Sequence, residues 1–229
     1  MRVIAINSSP KMDKGNIALI LNPFLEGIKD AGAEVKLFYT KKLNINPCQG
    51  EYSCSRKTPG KCFQKDDMQI LYPKLHSADV WIFATPLYVS NMTGPMKTVV
   101  DRILIPMGKP QLELHEGHCH HPLREVVENG KIVLISNCGY WELDNFDLLI
   151  DQIKALCIHA EREYAGALLR PHGVIVKSMI ARGADLNDIF EAAKEAGKQL
   201  INDGKMNPET LKIVCRELVP LESYIAPRA

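Results

Sequence analysis

Three short stretches of this 229-residue chain concentrate side chains able to handle an anion, a planar ring or electrons. The first, Asn7-Ser8-Ser9-Pro10-Lys11 followed by Gly15-Asn16, brings hydroxyls and a cation to an expected helix start, where backbone N–H groups lack partners. That combination suits a phosphate. It lacks the glycines of a dinucleotide fingerprint and the Gly-Lys-Ser/Thr ending of a P-loop, which disfavours a nucleoside triphosphate. The second stretch, Thr85 through Pro86, Leu87, Tyr88, Val89, Ser90 and Asn91 to Lys97, is a proline-stiffened turn. Its Leu87 and Tyr88 can flank a flat ligand while its backbone N–H groups reach polar ring edges. The third, Asn137-Cys138-Gly139-Tyr140-Trp141, offers a glycine and two aromatics that can cover a planar ring. A polar helix-capping turn and aromatics that merely close the sheet are the plainer readings of the same residues.

Two further segments hold thiols and imidazoles. Of seven cysteines, Cys48, Cys54 and Cys62 fall in one loop, and His115, His118, Cys119, His120 and His121 crowd another. The histidine segment either ligates zinc or iron or roofs a ligand, with His118 or His120 touching substrate. Cys138 reads as a small pocket residue, and Cys157 and Cys215 as core positions on helices. His76, His159 and His172 stand in no pattern.

The elements that must position these residues follow from periodicity. Residues 2–7, 35–39, 80–84 and 132–136 are short, nearly continuous apolar runs and read as buried parallel strands, with Glu163 to Leu169 a fifth. Ile17, Ile20, Leu21, Phe24, Leu25 and Ile28 recur at helical spacing, and Pro23 among them predicts a kink or a late helix start. Further helices are expected over Met68 to His76, capped by Asp66 or Asp67, over Met96 to Ile105, from Asp144 to about His159, and over Leu186 to Ile201. Strand and helix alternate, so the fold expected is α/β, a doubly wound five-stranded parallel sheet with long insertions at about 40–65 and 106–130. Residues 1–205 then form the domain, and 206–229 form a helical tail that can cross to a partner subunit. Ligands of such sheets bind beyond the carboxyl ends of the strands, where the first three stretches lie.

Ser9-Pro10-Lys11 with Gly15-Asn16, Thr85-Pro86-Leu87-Tyr88 through Met92-Thr93-Gly94-Pro95-Met96-Lys97 with Asp101-Arg102, and Asn137-Cys138-Gly139 together resemble the flavodoxin-like NAD(P)H-dependent FMN reductases, including the iron-sulfur flavoproteins. The likeness runs over about residues 1–170. It implies FMN, with its phosphate on Ser9, Lys11, Gly15, Asn16 and Ile17. Its ring would lie among Pro86, Leu87, Tyr88, Val89, Asn91, Asn137, Cys138, Gly139 and Tyr140. Two departures touch the phosphate loop: the family often has Gly where Ser8 stands and Thr where Ile17 stands, the latter change removing a hydroxyl. The iron-sulfur subgroup places four cysteines compactly; Cys48, Cys54 and Cys62 match three of these places, and Glu51 stands at the second, where a hard carboxylate is a poorer ligand.

The activity implied is hydride transfer from NAD(P)H to FMN, then electrons onward to a flavin, quinone or other acceptor, the cofactor carrying the chemistry. Tyr88, Tyr140 and His118 are the candidate substrate contacts. Alternatives are an electron carrier exchanging electrons with ferredoxin and a thiol-based redox-sensing module. With 28 Lys and Arg against 27 Asp and Glu, the net charge of +1 argues against nucleic acid. No apolar run approaches a membrane span, and Met1 leads straight into a strand, so a cytoplasmic address is expected. A homodimer or homotetramer is expected from the resemblance.

Overall fold

The computed structural model describes residues 1–115 and 117–226, and for Ile105, His115 and His118 the backbone alone. Five parallel strands form the central sheet: β1 (Arg2–Asn7), β2 (Glu34–Tyr39), β3 (Val80–Pro86), β6 (Lys131–Asn137) and β7 (Glu163–Arg170), in spatial order β2-β1-β3-β6-β7. Val3 pairs with Val35 on one side and Val80 on the other, and Ile132 faces Trp81. Successive side chains point to opposite faces, so each strand feeds two cores. Val3, Ala5, Ile82, Ala84, Val133 and Ile135 enter one, while Ile4, Ile6, Trp81, Phe83, Ile132 and Leu134 enter the other. Burial on both faces is why these strands read as apolar runs instead of alternating.

The first core is closed by α1 (Asn16–Asp30) and α7 (Asn187–Asn202), the second by α3 (Met68–Ser77), α4 (Gly94–Met107) and α5 (Asp147–His159). A short α2 (Ser53–Arg56) lies in the first insertion, and a hairpin of β4 (Glu113–His115) and β5 (His118–His120) in the second. After β7 come α6 (Val176–Ala181), then α7, α8 (Pro208–Cys215) and α9 (Leu221–Ile225).

Helix α1 begins at Asn16, so the expected late start does not occur, and Pro23 sits inside a continuous helix. Its missing hydrogen bond costs about 3 kcal/mol in an isolated helix, and burial of Ile17, Ile20, Leu21, Phe24, Leu25 and Ile28 offsets that cost. α1 and α7 touch backbone to backbone. A Cβ on Gly27 would lie 1.8 Å from the Lys194 carbonyl oxygen, and one on Gly197 would lie 2.2 Å from that of Phe24. At α3 the Asp67 carboxylate accepts from the Asn44 N–H (2.7 Å) and leaves Asp66 to receive the Met68 N–H (3.2 Å). A 3-10 turn, Leu143–Phe146, precedes α5. Among the described residues no helix is long and apolar enough to cross a membrane.

Candidate functional site

The strand order reverses between β1 and β3, and the crevice beyond their carboxyl ends is where such sheets bind ligands. Four loops meet there. After β1, Asn7 Oδ1 accepts from the Ser9 N–H at 2.8 Å, turning the chain out of the strand. A 3-10 turn, Met12–Lys14, then delivers Gly15 to the helix start, its N–H donating to the Met12 carbonyl at 3.1 Å. A Cβ on Gly15 would stand 2.4 Å from Ser9 Oγ, so glycine is what leaves that hydroxyl its place. The first-turn N–H groups of Asn16, Ile17 and Ala18 have no intrahelical acceptor and carry the positive end of the helix dipole. Lys11 adds a cation. Lys41 Nζ donates to the Pro10 carbonyl at 3.0 Å and Lys177 Nζ to that of Lys14, bracing the loop with two more.

After β3, Tyr88 and Asn91 exchange backbone hydrogen bonds of 2.8 and 3.1 Å around Val89 and Ser90, whose φ angles are 49° and 60°. This two-residue turn has the left-handed form normally reserved for Gly, Asn or Asp. A β-branched valine there is strained by about 1–3 kcal/mol, and it is fully exposed. Nothing in the packing rewards that strain. Its effect is to leave the N–H groups of Val89 and Ser90 unused by the turn.

A buried chain of hydroxyls locks these loops together. Thr93 Oγ1, at the N-cap of α4, donates to Ser8 Oγ (2.8 Å), Thr85 Oγ1 accepts from the Thr93 N–H (3.1 Å), and Ser136 Oγ donates to the Thr85 carbonyl (2.8 Å). The Leu87 N–H reaches the Asn137 carbonyl at 2.9 Å. Buried Asn7 Nδ2 and Asn137 Oδ1 have no protein partner among the described residues, an open donor and an open acceptor at the strand ends.

The outer wall is built from beyond β7. The Gly173 N–H donates to the Cys138 carbonyl (2.8 Å) and the His172 N–H to that of Tyr140 (2.9 Å). His172 is fully buried, its ring between those of Trp141 and Tyr224 at 5.5 and 5.4 Å. Buried Arg170 donates to the carbonyls of Val214 (2.6 Å), Cys215 (3.3 Å) and Arg216, capping the carbonyl end of α8. Burial lowers its pKa to about 10. The tail returns over this wall, with Trp141 Nε1 donating to the Val219 carbonyl at 3.0 Å and the Tyr224 hydroxyl to that of Gly139.

The result is a cleft of about 180 Å³ lined by Ser9, Pro10, Lys11, Gly15, Asn16, Pro86, Leu87, Tyr88, Asn137, Cys138, Gly139 and Val174. Most of the residues expected to hold a cofactor therefore meet in one place. Val89 and Asn91 stand beside it in the turn, and half-exposed Tyr88 and well-exposed Tyr140 mark its rim. Ile17 can serve the site only through its N–H, because its side chain is 1% exposed in the α1 core. Ser8 likewise faces inward, to Thr93. Val174 went unnoticed because its loop follows the fifth strand and carries no polar signature. Ser8, Thr85, Thr93 and Ser136 were legible only as ordinary hydroxyls. Burial pushes the Cys138 thiol up, which keeps it protonated and no nucleophile.

The other candidate segments lie apart. Leu123 N–H donates to Glu161 Oε1 (2.9 Å) and His120 Nε2 lies 3.4 Å from it. Glu161 precedes β7, so the histidine hairpin sits at the end of the sheet opposite the cleft and does not roof it within one chain. The side chain of His118 lies outside the described residues. A larger cavity of about 410 Å³, lined partly by Tyr52, His120, His121 and His159, lies at that far end. In the cysteine loop, Cys48 is exposed, Cys54 buried and Cys62 intermediate. Glu51 is committed to Ser53, whose N–H it accepts at 3.0 Å. Among the described residues no group of three or more His, Cys, Asp or Glu is placed to hold a metal ion, although Cys62 and Cys48 lie near enough to Cys54 to add to the upward push that burial gives its thiol. The loop is pinned to α4 instead: Arg102 pairs with Asp66 at 2.7 and 3.1 Å, donates to the Asn46 carbonyl at 2.7 Å and lies 3.5 Å from Cys62 Sγ.

Sheet order, crevice and loops together define a flavodoxin-like α/β protein. The chain belongs to the NADPH-dependent FMN reductase family, whose model matches residues 1–127. It is 35% identical over 102 residues to an iron-sulfur flavoprotein of Archaeoglobus fulgidus, covering 44% of this chain and 48% of that one. It is 39% identical over 102 residues to one of Methanocaldococcus jannaschii, covering 44% and 50%. These matches thus span about half the length of the curated relatives. Among solved structures, an FMN-dependent NADH-azoreductase of Bacillus anthracis superposes with a TM-score of 0.63 at 15% identity, covering 88% of this chain and 99% of that one. An NAD(P)H:quinone oxidoreductase of Methanothermobacter marburgensis gives 0.60 at 17%, covering 87% and 96%. At such identities the likeness is one of fold.

Proposed function

We propose that this protein is an FMN-dependent oxidoreductase that takes electrons from NAD(P)H and passes them to a small acceptor such as a flavin or quinone. The observation that carries the reading is the convergence, in one cleft, of an unpartnered helix start with cations and a left-handed turn with two free N–H groups. A phosphate fits the first and the edge of a flat heterocycle the second. Bound FMN supplies hydride and electron chemistry.

The chain's own part is to bind and orient. Lys11 and the N–H groups of Asn16 and Ile17 would hold the phosphate, while Leu87, Tyr88 and Gly139 confine the ring. The N–H groups of Val89 and Ser90 would favour extra negative charge at the ring edge. Neutral Cys138 adds no competing charge, and Tyr88 and Tyr140 at the rim would meet the second substrate. We read residues 1–205 as the FMN-binding unit and 206–229 as a tail available to a partner subunit.

The curated relatives are named iron-sulfur flavoproteins, which lends weak support to a second reading, an electron carrier exchanging electrons with ferredoxin. The commitment of Glu51 to Ser53 argues against its serving as the fourth ligand of a cluster in the first insertion. An anaerobic absorption spectrum of the protein with FMN restored, before and after NADPH or NADH, with iron assayed in parallel, separates the two. Rapid bleaching without iron is expected. Bound flavin that ignores both nucleotides yet accepts electrons from reduced ferredoxin would favour the carrier, and no flavin binding would end both readings.

A further inference from the structure

A second cleft, of about 320 Å³, opens between α6 and the C-terminal tail. Met179 and Val219 give it apolar surface, Tyr224 an aromatic ring, and Ser223 and Arg182 a hydroxyl and a guanidinium, while the Ser178 hydroxyl donates to the Ile175 carbonyl at 2.8 Å. Arg182 is exposed and forms no ion pair among the described residues, so its fork of donors is open to a ligand. The cleft shares a wall with the candidate cofactor site. The Tyr224 hydroxyl donates to the carbonyl of Gly139, which lines the first cleft, and Val174 of the first is followed by Ile175 of the second. The tail side of the cleft is held in place by the Trp141 to Val219 hydrogen bond and by the Arg216–Asp188 ion pair at 2.5 and 2.8 Å.

An aromatic face over apolar side chains accepts a planar base, and a free guanidinium beside a serine hydroxyl accepts a phosphate monoester. A ligand carrying both, tethered to a group that must reach the neighbouring cleft, is a phosphorylated dinucleotide. Resting on the flavin reading above, we propose that this second cleft binds the adenosine 2′-phosphate end of NADPH and that Arg182 selects NADPH over NADH. The nicotinamide end is then free to lie over the first cleft. NADH carries a hydroxyl where NADPH carries the phosphate and gains nothing from Arg182.

The test uses the FMN-loaded protein and R182Q, with R182E as a second variant. Arg182 lies on the surface, away from both cores, so neither variant disturbs folding. In R182Q the KM for NADPH should rise about tenfold or more, the loss of a charge-assisted contact, with kcat and the KM for NADH unchanged. R182E should raise the KM for NADPH further. Calorimetric titration gives a readout independent of turnover: adenosine 2′,5′-bisphosphate should bind the wild type about tenfold or more tightly than 5′-AMP does, and R182Q should erase the difference. Equal changes for both dinucleotides, no change for either, or no preference for the bisphosphate would overturn the proposal. Reduction of the flavin by NADPH that ignores R182Q would leave the flavin reading standing and this inference refuted. Arg182-dependent bisphosphate binding in a protein whose flavin neither dinucleotide reduces would support the cleft and refute NAD(P)H as the electron donor.

Discussion

At Gly15 and Val89 single backbone positions carry the site. Gly15→Ala would place a methyl 2.4 Å from Ser9 Oγ, which can rotate away, and 3.2 and 3.3 Å from the Met12 carbonyl oxygen and Ser9 Cβ, which must shift with the loop. Stability should therefore fall by about 1 kcal/mol while the Ser9 hydroxyl leaves the phosphate loop. FMN affinity, followed by quenching of flavin fluorescence, should drop about tenfold; undiminished affinity would show that Ser9 does not touch the cofactor. Val89 presents the opposite case, a residue at φ 49° whose side chain packs on nothing. Val89→Gly removes a left-handed penalty of about 1–2 kcal/mol against a smaller loss from the freer unfolded chain, so it should stabilise by about 0.5–1 kcal/mol. A raised denaturant midpoint checks this. Positions of this kind are half legible in sequence: glycine before a helix is a recognisable sign, but a valine in a left-handed turn contradicts local propensity and appears only in the backbone.

Among the elements, the joint between the first insertion and α4 rests on one buried ion pair. The side chains of Arg102 and Asp66 are 1% and 0% exposed. Burial alone would raise the Asp66 pKa, but the Arg102 guanidinium and the N–H groups of Asn46 and Met68 outweigh it and hold the carboxyl below its ordinary 3.8. A carboxylate depressed in the folded state contributes stability that is fully present above the unfolded value and is lost as pH falls through the folded one. Asp66→Asn strands a buried guanidinium and should cost about 3–5 kcal/mol at neutral pH. Urea midpoints measured from pH 7 down to pH 2 should show wild type and variant converging below about pH 4. A gap that stays constant across that range would refute the ion pair's role. Asp66 was readable as a helix cap and Arg102 only as part of a motif; their pairing spans 36 residues and no local pattern announces it.

Across the whole molecule the tail braces the outer wall of the cleft from behind. Trp141, His172 and Tyr224 pack as tilted rings where the loops after β6 and β7 meet α9, and the Tyr224 hydroxyl holds the Gly139 carbonyl. A chain ending at Arg216 keeps the Asp188 ion pair and the carbonyls that Arg170 caps, but loses Val219 and Tyr224. Its FMN affinity should fall about tenfold with a modest loss of thermal stability. Unchanged flavin binding in that truncated chain would show that the wall stands without the tail.

The sequence by itself determined the sheet, because strands buried on both faces must be apolar throughout and helices buried on one must repeat at helical spacing. It also placed the three ligand-bearing loops at one edge, since every strand of a parallel sheet ends on the same side. Tertiary structure alone decided what lies behind and around them. Helical phase turned Ile17 into the core, two glycines far apart in the chain let α1 and α7 touch, and the second insertion took the histidines to the opposite end of the sheet. The tail, featureless as a string, became one side of the second cleft and a brace behind the Gly139 loop of the first. These outcomes depend on contacts between residues distant in sequence, where packing and the pairing of buried polar groups override local propensity.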